Sequence, residues 1–209
     1  MRGQKVRVRK TLGLFFGQTA LCVLAILAVC TATGLHTALL RAFDAADRSG
    51  IAPDEVEAIA HAMVAVMKGA DRQILARWFT ADEVLHMKDV QGLFSLGIKL
   101  FLCLAALAAV GLIGGKRPAR REYRRALWLT LLVPAAVAIP FILNFNGMWV
   151  FLHRVAFPQN ELWLMDPRMH KMVVVYSGEF FMAVVAVAGI LCALSLAPLM
   201  VLMARTKEE

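Results

Sequence analysis

Four long runs of mostly apolar residues, at about 11–33, 93–113, 126–146 and 174–203, decide what this chain can become. Each is rich in Leu, Ala and Val and nearly free of charge. A bilayer core about 30 Å thick takes roughly 20 such residues as one helix, and a helix satisfies its own backbone N–H and C=O groups where there is no water to do so. With 60% of its 209 residues hydrophobic, the chain lies far from the balance of a soluble domain. The expectation is an all-α membrane protein of four transmembrane helices, residues 1–209 forming one integral membrane domain. The first run begins with basic residues and has small residues near Ala32, as a signal peptide does. Its apolar stretch exceeds the roughly 7–15 residues of a signal core, so it reads as a retained helix.

Lys and Arg set the orientation, because short loops rich in them stay on the cytoplasmic side. Arg2, Lys5, Arg7, Arg9 and Lys10 precede the first run, Lys116, Arg117, Arg120, Arg121, Arg124 and Arg125 lie between the second and third, and Arg205 and Lys207 follow the fourth. This places both termini in the cytoplasm and leaves about 34–92 and 147–173 outside, where most of the acidic residues fall. The net charge of +8 is thereby a topology signal rather than a nucleic-acid signal, and the basic loop can also meet anionic lipid head groups.

The outer segments make a small helical and irregular cap. Pro53, Asp54 and Glu55 open a helix whose apolar positions Val56, Ile59, Ala60, Met63, Val66 and Met67 recur at helical spacing, with Gly69 ending it. A second helix opens at Thr80, an N-cap with Glu83 three residues on, and runs through His86 into the second span. The segment 147–173 reads as irregular: Asn144, Asn146 and Gly147 mark a span exit, Phe157-Pro158 and Asp166-Pro167 mark turns, and Trp149, Phe151, Phe157 and Trp163 suit a membrane interface. Cys22, Cys30, Cys103 and Cys192 all lie within predicted spans, so neither a disulfide framework nor a Cys-based metal motif is expected.

Two histidines stand out. His86 and His153 each sit in a polar stretch at the edge of an apolar run, and the topology puts both on the same outer side. On the helix of His86, Asp82 and Asp89 lie four and three residues away, so a carboxylate can approach the imidazole. His36, His61 and His170 read as ordinary hydrogen-bonded polar residues. Glu179, at the edge of the fourth span, reads as a partner of the site or of Arg168 or Lys171, a snorkelling glutamate being the alternative. From these residues three classes stay open: general acid–base catalysis by the histidine pair, a membrane metalloenzyme using His86, Asp89, His153 and Asp166 or His170, and a non-enzymatic assembly or sensing protein.

The pattern His86-Met87-x-Asp89-Val90-x-x-Leu93-Phe94, followed by His153-x-x-x-Phe157-x-x-Asn160-Glu161-x-Trp163-x-x-Asp166-Pro167 and then Gly178-Glu179-Phe180-Phe181, resembles a bacterial family of small integral membrane proteins that includes the lipoprotein intramolecular transacylases. The resemblance covers about 79–181 together with the number and order of spans. Three positions depart from the family pattern: Glu161 stands for an Asp, His170 for an acidic residue after Asp-Pro, and Gly178 for a proline. The resemblance implies an acyltransferase of the bacterial cytoplasmic membrane acting at the outer face on a diacylated lipoprotein. The sn-2 acyl chain of the diacylglyceryl group moves to the α-amine of the lipoprotein's N-terminal cysteine. It further implies His86 and His153 as the catalytic pair, without cofactor or metal, supported by Asp89, Arg154, Asn160, Asp166, Arg168 and Glu179. Asp89 would orient His86, and Arg154, Asn160 and Arg168 are candidates to steady the ester oxyanion.

Overall fold

The computed structural model describes residues 2–114 and 117–206, and Lys116 and Lys207 of the basic loop and tail lie outside them. All regular structure among these residues is helical: α1 (Arg2–Cys30), α2 (Thr33–Ala42), α3 (Ala45–Ser49), α4 (Pro53–Met67), a 3-10 turn (Arg72–Leu75), α5 (Ala81–Leu112), α6 (Arg120–Leu143), α7 (Phe145–Ala156), α8 (Met172–Val175), α9 (Gly178–Leu194) and α10 (Ala197–Arg205). Three stretches are long and apolar enough to cross a membrane: Val6–Cys30, Ala81–Leu112 and Gly178–Arg205. They expose large apolar side chains such as Leu102, Val110 and Ile190, for which lipid is the natural neighbour. The third apolar run is carried by α6, which closes at Asn144. The last run is helical in the short α8 up to Val175, breaks at the non-helical Tyr176 and resumes at Gly178.

The chain divides into two units whose boundaries fall inside α1, α5 and α9. One comprises Met1–Ile26, Gly97–Phe145 and Ala188–Glu209. In it Gly13 and Gly111 bring two backbones into contact: a Cβ on Gly111 would lie 2.6 Å from Gly13 Cα. Small residues are what permit such an approach between helices in lipid. At the end of α5, Lys10 Nζ donates to the Leu112 and Gly114 carbonyls at 2.6 and 2.7 Å, and Arg9 donates to Ile113 O. These are carbonyls that a helix terminus leaves without partners. Gln18 Nε2 donates to Ser195 Oγ at 2.5 Å, a polar link between apolar segments.

The other unit comprises Leu27–Leu96 and Asn146–Val187. Here α2, α3 and α4 pack on one another and α8 packs on α3. Helix α4 starts at Pro53 with Asp54 and Glu55 in its first turn, where its dipole favours acids, and buries Val56, Ile59, Ala60, Met63 and Val66. It ends before Gly69, which has φ +107°, a conformation glycine adopts without strain. Gln91 on α5 donates to the Val66 and Ala70 carbonyls at 2.9 and 2.8 Å, closing the α4 terminus with a side chain from 21 or more residues away.

Candidate functional site

The site is built at the start of α5 and on α7, within the second unit. Thr80 and Glu83 form the capping box that their spacing predicts: Thr80 N donates to Glu83 Oε2 at 2.6 Å, and Glu83 N donates to Thr80 Oγ1 at 3.4 Å. From this start α5 continues unbroken through His86 to Leu112. Glu83 does more than cap. It is fully buried, and its Oε1 accepts the Met172 backbone N–H at 2.7 Å, tying the end of the 157–171 loop to the base of α5.

The segment after Asn146, expected to be irregular, begins as helix α7 and is irregular only beyond Ala156. Its aromatics, read as interface markers, form one face: Trp149, His153 and Phe157 follow each other at spacings of four, so they stack along one side of the helix. The ring centroids of Trp149, Trp163 and Phe157 lie 4.5, 5.3 and 5.6 Å from that of His153. Phe157 also meets His86 edge-on at 5.1 Å, so it touches both imidazoles. The His86 and His153 rings are 6.3 Å apart with planes inclined by 30°. They keep only 7% and 9% of their surface exposed.

Backbone geometry decides the protonation of His153. Its Nδ1 lies 2.8 Å from the Trp149 carbonyl, which can only accept, so Nδ1 carries the proton and the neutral ring has its lone pair on Nε2. Burial pushes the His153 pKa below its ordinary value, against the opposing pull of the Trp149 carbonyl, which favours the neutral base. The Nδ1 of His86 is buried and has no hydrogen-bond partner among the described residues.

Several of the other expected residues have partners other than those anticipated. Asp89 does not take a proton from His86: its Oδ2 accepts Asn160 Nδ2 at 2.9 Å, and Asn160 Oδ1 in turn accepts the Leu162 N–H. Asn160 is thus a brace between α5 and the loop. Arg168 pairs with Asp166 at 2.8 Å, closing the Asp166-Pro167 turn, and this contact holds the Asp166 carboxyl below its usual range. His170 belongs to the same turn, its Nδ1 accepting Asp166 N–H. Glu179 lies 3.7 Å from Arg48 rather than beside Arg168 or Lys171, because α3 and not the loop meets the start of α9. Arg154 is exposed on α7. His36 is enclosed, and its ring packs edge-on against Phe180 at 5.2 Å and Tyr176 at 6.0 Å. No group of three or more His, Cys, Asp or Glu residues is gathered as a metal ion would need among the described residues. Sequence reasoning missed Trp149 and Phe157 as the setting of the histidines, although their spacing of four from His153 was the available signal.

Comparison with known proteins adds the family. The model of the lipoprotein intramolecular transacylase Lit family matches residues 12–181. Among solved structures, the membrane-integral lipoprotein intramolecular transacylase Lit from Bacillus cereus superposes with a TM-score of 0.83 at 18% identity, over 96% of this chain and 94% of that one. Two variants of the same enzyme, one with a histidine replaced by arginine and one with a histidine replaced by alanine, each give 0.82 at 17% identity. They cover 97% and 98% of this chain and 92% and 94% of theirs. At this identity the likeness is one of fold. A search of curated proteins gave no significant match. The family match extends over most of the chain and over every residue of the site just described, and the chain belongs to the lipoprotein intramolecular transacylases, acyltransferases of the membrane.

Proposed function

We propose that His153 and His86 together carry the proton traffic of an O-to-N acyl transfer at the outer face of the cytoplasmic membrane. The neutral α-amine of the substrate's N-terminal cysteine attacks the sn-2 ester carbonyl of the diacylglyceryl group on the same molecule. His153 Nε2 takes the N–H proton, the bond between carbonyl carbon and glyceryl oxygen breaks, and the same proton passes from Nε2 to the leaving oxygen, with His86 beside it supporting that delivery. The products are an amide and a free hydroxyl, with no net proton gained or lost. The amine titrates near 8, within reach of an imidazole base, and both reactants belong to one molecule, so orientation supplies much of the rate.

The observation that carries this reading is the bond from His153 Nδ1 to Trp149 O, which leaves Nε2 as a base beside a second imidazole 6.3 Å away. That solved variants of the Bacillus cereus enzyme replace a histidine agrees with it. Of the three residues expected to steady the oxyanion, Asn160 is engaged with Asp89 and Arg168 with Asp166, which favours Arg154 for contact with the ester or a head group. The four membrane spans rest on the four apolar runs, and the outward orientation and cytoplasmic termini on the distribution of Lys and Arg. Mass spectrometry of lipoprotein N-terminal peptides from cells with and without this protein tests the activity. An acyl group on the cysteine amine, lost with His153→Ala, is the expected result; unchanged N-terminal modification on expression of the wild type overturns it.

A further inference from the structure

At the basic end of α1 a groove of about 460 Å³ opens between α1 and α6. Its walls are two triplets at helical spacing, Val8, Thr11 and Leu12 on α1 and Arg125, Trp128 and Leu129 on α6. The volume falls within the roughly 300–1,000 Å³ of small-molecule sites. Four of the six residues are apolar, and the two polar ones both lack something. Lys10 and Arg9 nearby are engaged with the carbonyls that end α5, but Arg125 has no hydrogen-bond or ion-pair partner among the described residues. Thr11 is only 7% exposed, and its hydroxyl is enclosed without a partner. Thr19 and Thr130 show the usual way out for a threonine in a helix, donating to the carbonyl four residues back, and Thr11 does not take it. A buried hydroxyl without a partner is costly, so an acceptor belongs in this groove.

We propose that the groove binds one anionic glycerophospholipid of the bilayer. Its phosphate lies on the Arg125 guanidinium, whose planar fork fits two phosphate oxygens. The Thr11 hydroxyl donates to a phosphate or ester oxygen. One acyl chain runs along Val8, Leu12 and Leu129, and the half-exposed Trp128 sits at head-group level, where amphipathic rings are favoured. The basic residues around this end of α1 and α6 draw in anionic lipid and disfavour a cationic partner. A diacylglyceryl cysteine carries no phosphate, so this site is separate from that of the acyl donor.

The test is native mass spectrometry of the full-length protein, purified in detergent and titrated with phosphatidylglycerol or phosphatidylcholine. The wild type is expected to retain one phosphatidylglycerol with at least tenfold preference. Arg125→Gln and Leu12→Trp, which fills the groove, should each lower retention at least tenfold, Thr11→Val should lower it several-fold, and Arg124→Gln, outside the groove, should leave it unchanged. Equal retention of the two lipids by the wild type overturns the proposal without any variant. So does wild-type retention by Arg125→Gln, or an equal loss in Arg124→Gln, which would make the effect one of general charge.

Discussion

Removing the Glu83 side chain should damage this protein more than removing either site histidine. Glu83 is fully buried and satisfies two backbone donors, its own N-cap at Thr80 and the Met172 N–H. Glu83→Ala leaves both donors unpaired and opens a space beside them. An orphaned buried donor costs about 1–3 kcal/mol, and the partly buried Thr80 N–H falls at the low end, so the loss is about 2–4 kcal/mol. At roughly 2–4 °C per kcal/mol for a chain of this size, thermal unfolding in detergent should fall by at least about 4 °C. Glu83→Gln keeps the shape but has only one accepting oxygen, so it should lie between the two. Asp82→Ala, on the exposed face of the same turn, should shift unfolding by less than about 2 °C. Acyl transfer should fall together with stability in Glu83→Ala, because the loop ending at Met172 loses its tie to α5. Unfolding of Glu83→Ala within about 2 °C of the wild type would refute the reasoning.

His86→Ala and His153→Ala should each lower transfer by at least about 100-fold, far more than the modest loss of stability from their buried rings accounts for, and the double variant should transfer little worse than either, as read from lipoprotein N-terminal peptides. Stability should depend on pH through His153 and His36, whose pKa values burial holds below 6.5. The unfolded chain binds more protons than the folded one between those values and 6.5. Stability is therefore full above about pH 6.5 and declines as pH drops below it, and His153→Gln should lessen the decline in thermal scans at pH 5 and 7.5. Gly111→Ala should destabilise by about 1–3 kcal/mol, since a Cβ 2.6 Å from Gly13 Cα forces two backbones apart; an unchanged unfolding temperature in detergent would contradict that close contact.

What could be read from the chain was local or periodic. The Thr80–Glu83 box, the Pro53 helix start, the Asp166-Pro167 turn and the helix through His86 each depend on residues within one or two turns, and each is present. The meeting of His86 and His153 came from family pattern and charge topology, since neither spacing nor propensity relates residues 67 apart. What escaped was non-local. Glu83 reaches Met172, Asp89 reaches Asn160, and Arg48 reaches Glu179, and no periodicity announces such pairs. Helix α7 escaped for another reason: taken one at a time, Trp149 and Phe157 look like interface anchors, whereas their spacing of four from His153 describes a helical face.

The carbonyl that holds His153 belongs to the helix that carries it, four residues back. The ring therefore has a single port. A proton accepted at Nε2 turns it into a cation whose Nδ1–H still faces Trp149, so nothing invites the ring to flip or to pass charge out through the helix. The proton must leave by the edge at which it came in. For the transfer proposed above this is a matched arrangement, because the amine releases one proton in the same pocket where the departing oxygen requires one. A histidine with two open ports would leak that proton to bulk water and depend on pH to recover it, whereas this one closes the cycle within the substrate.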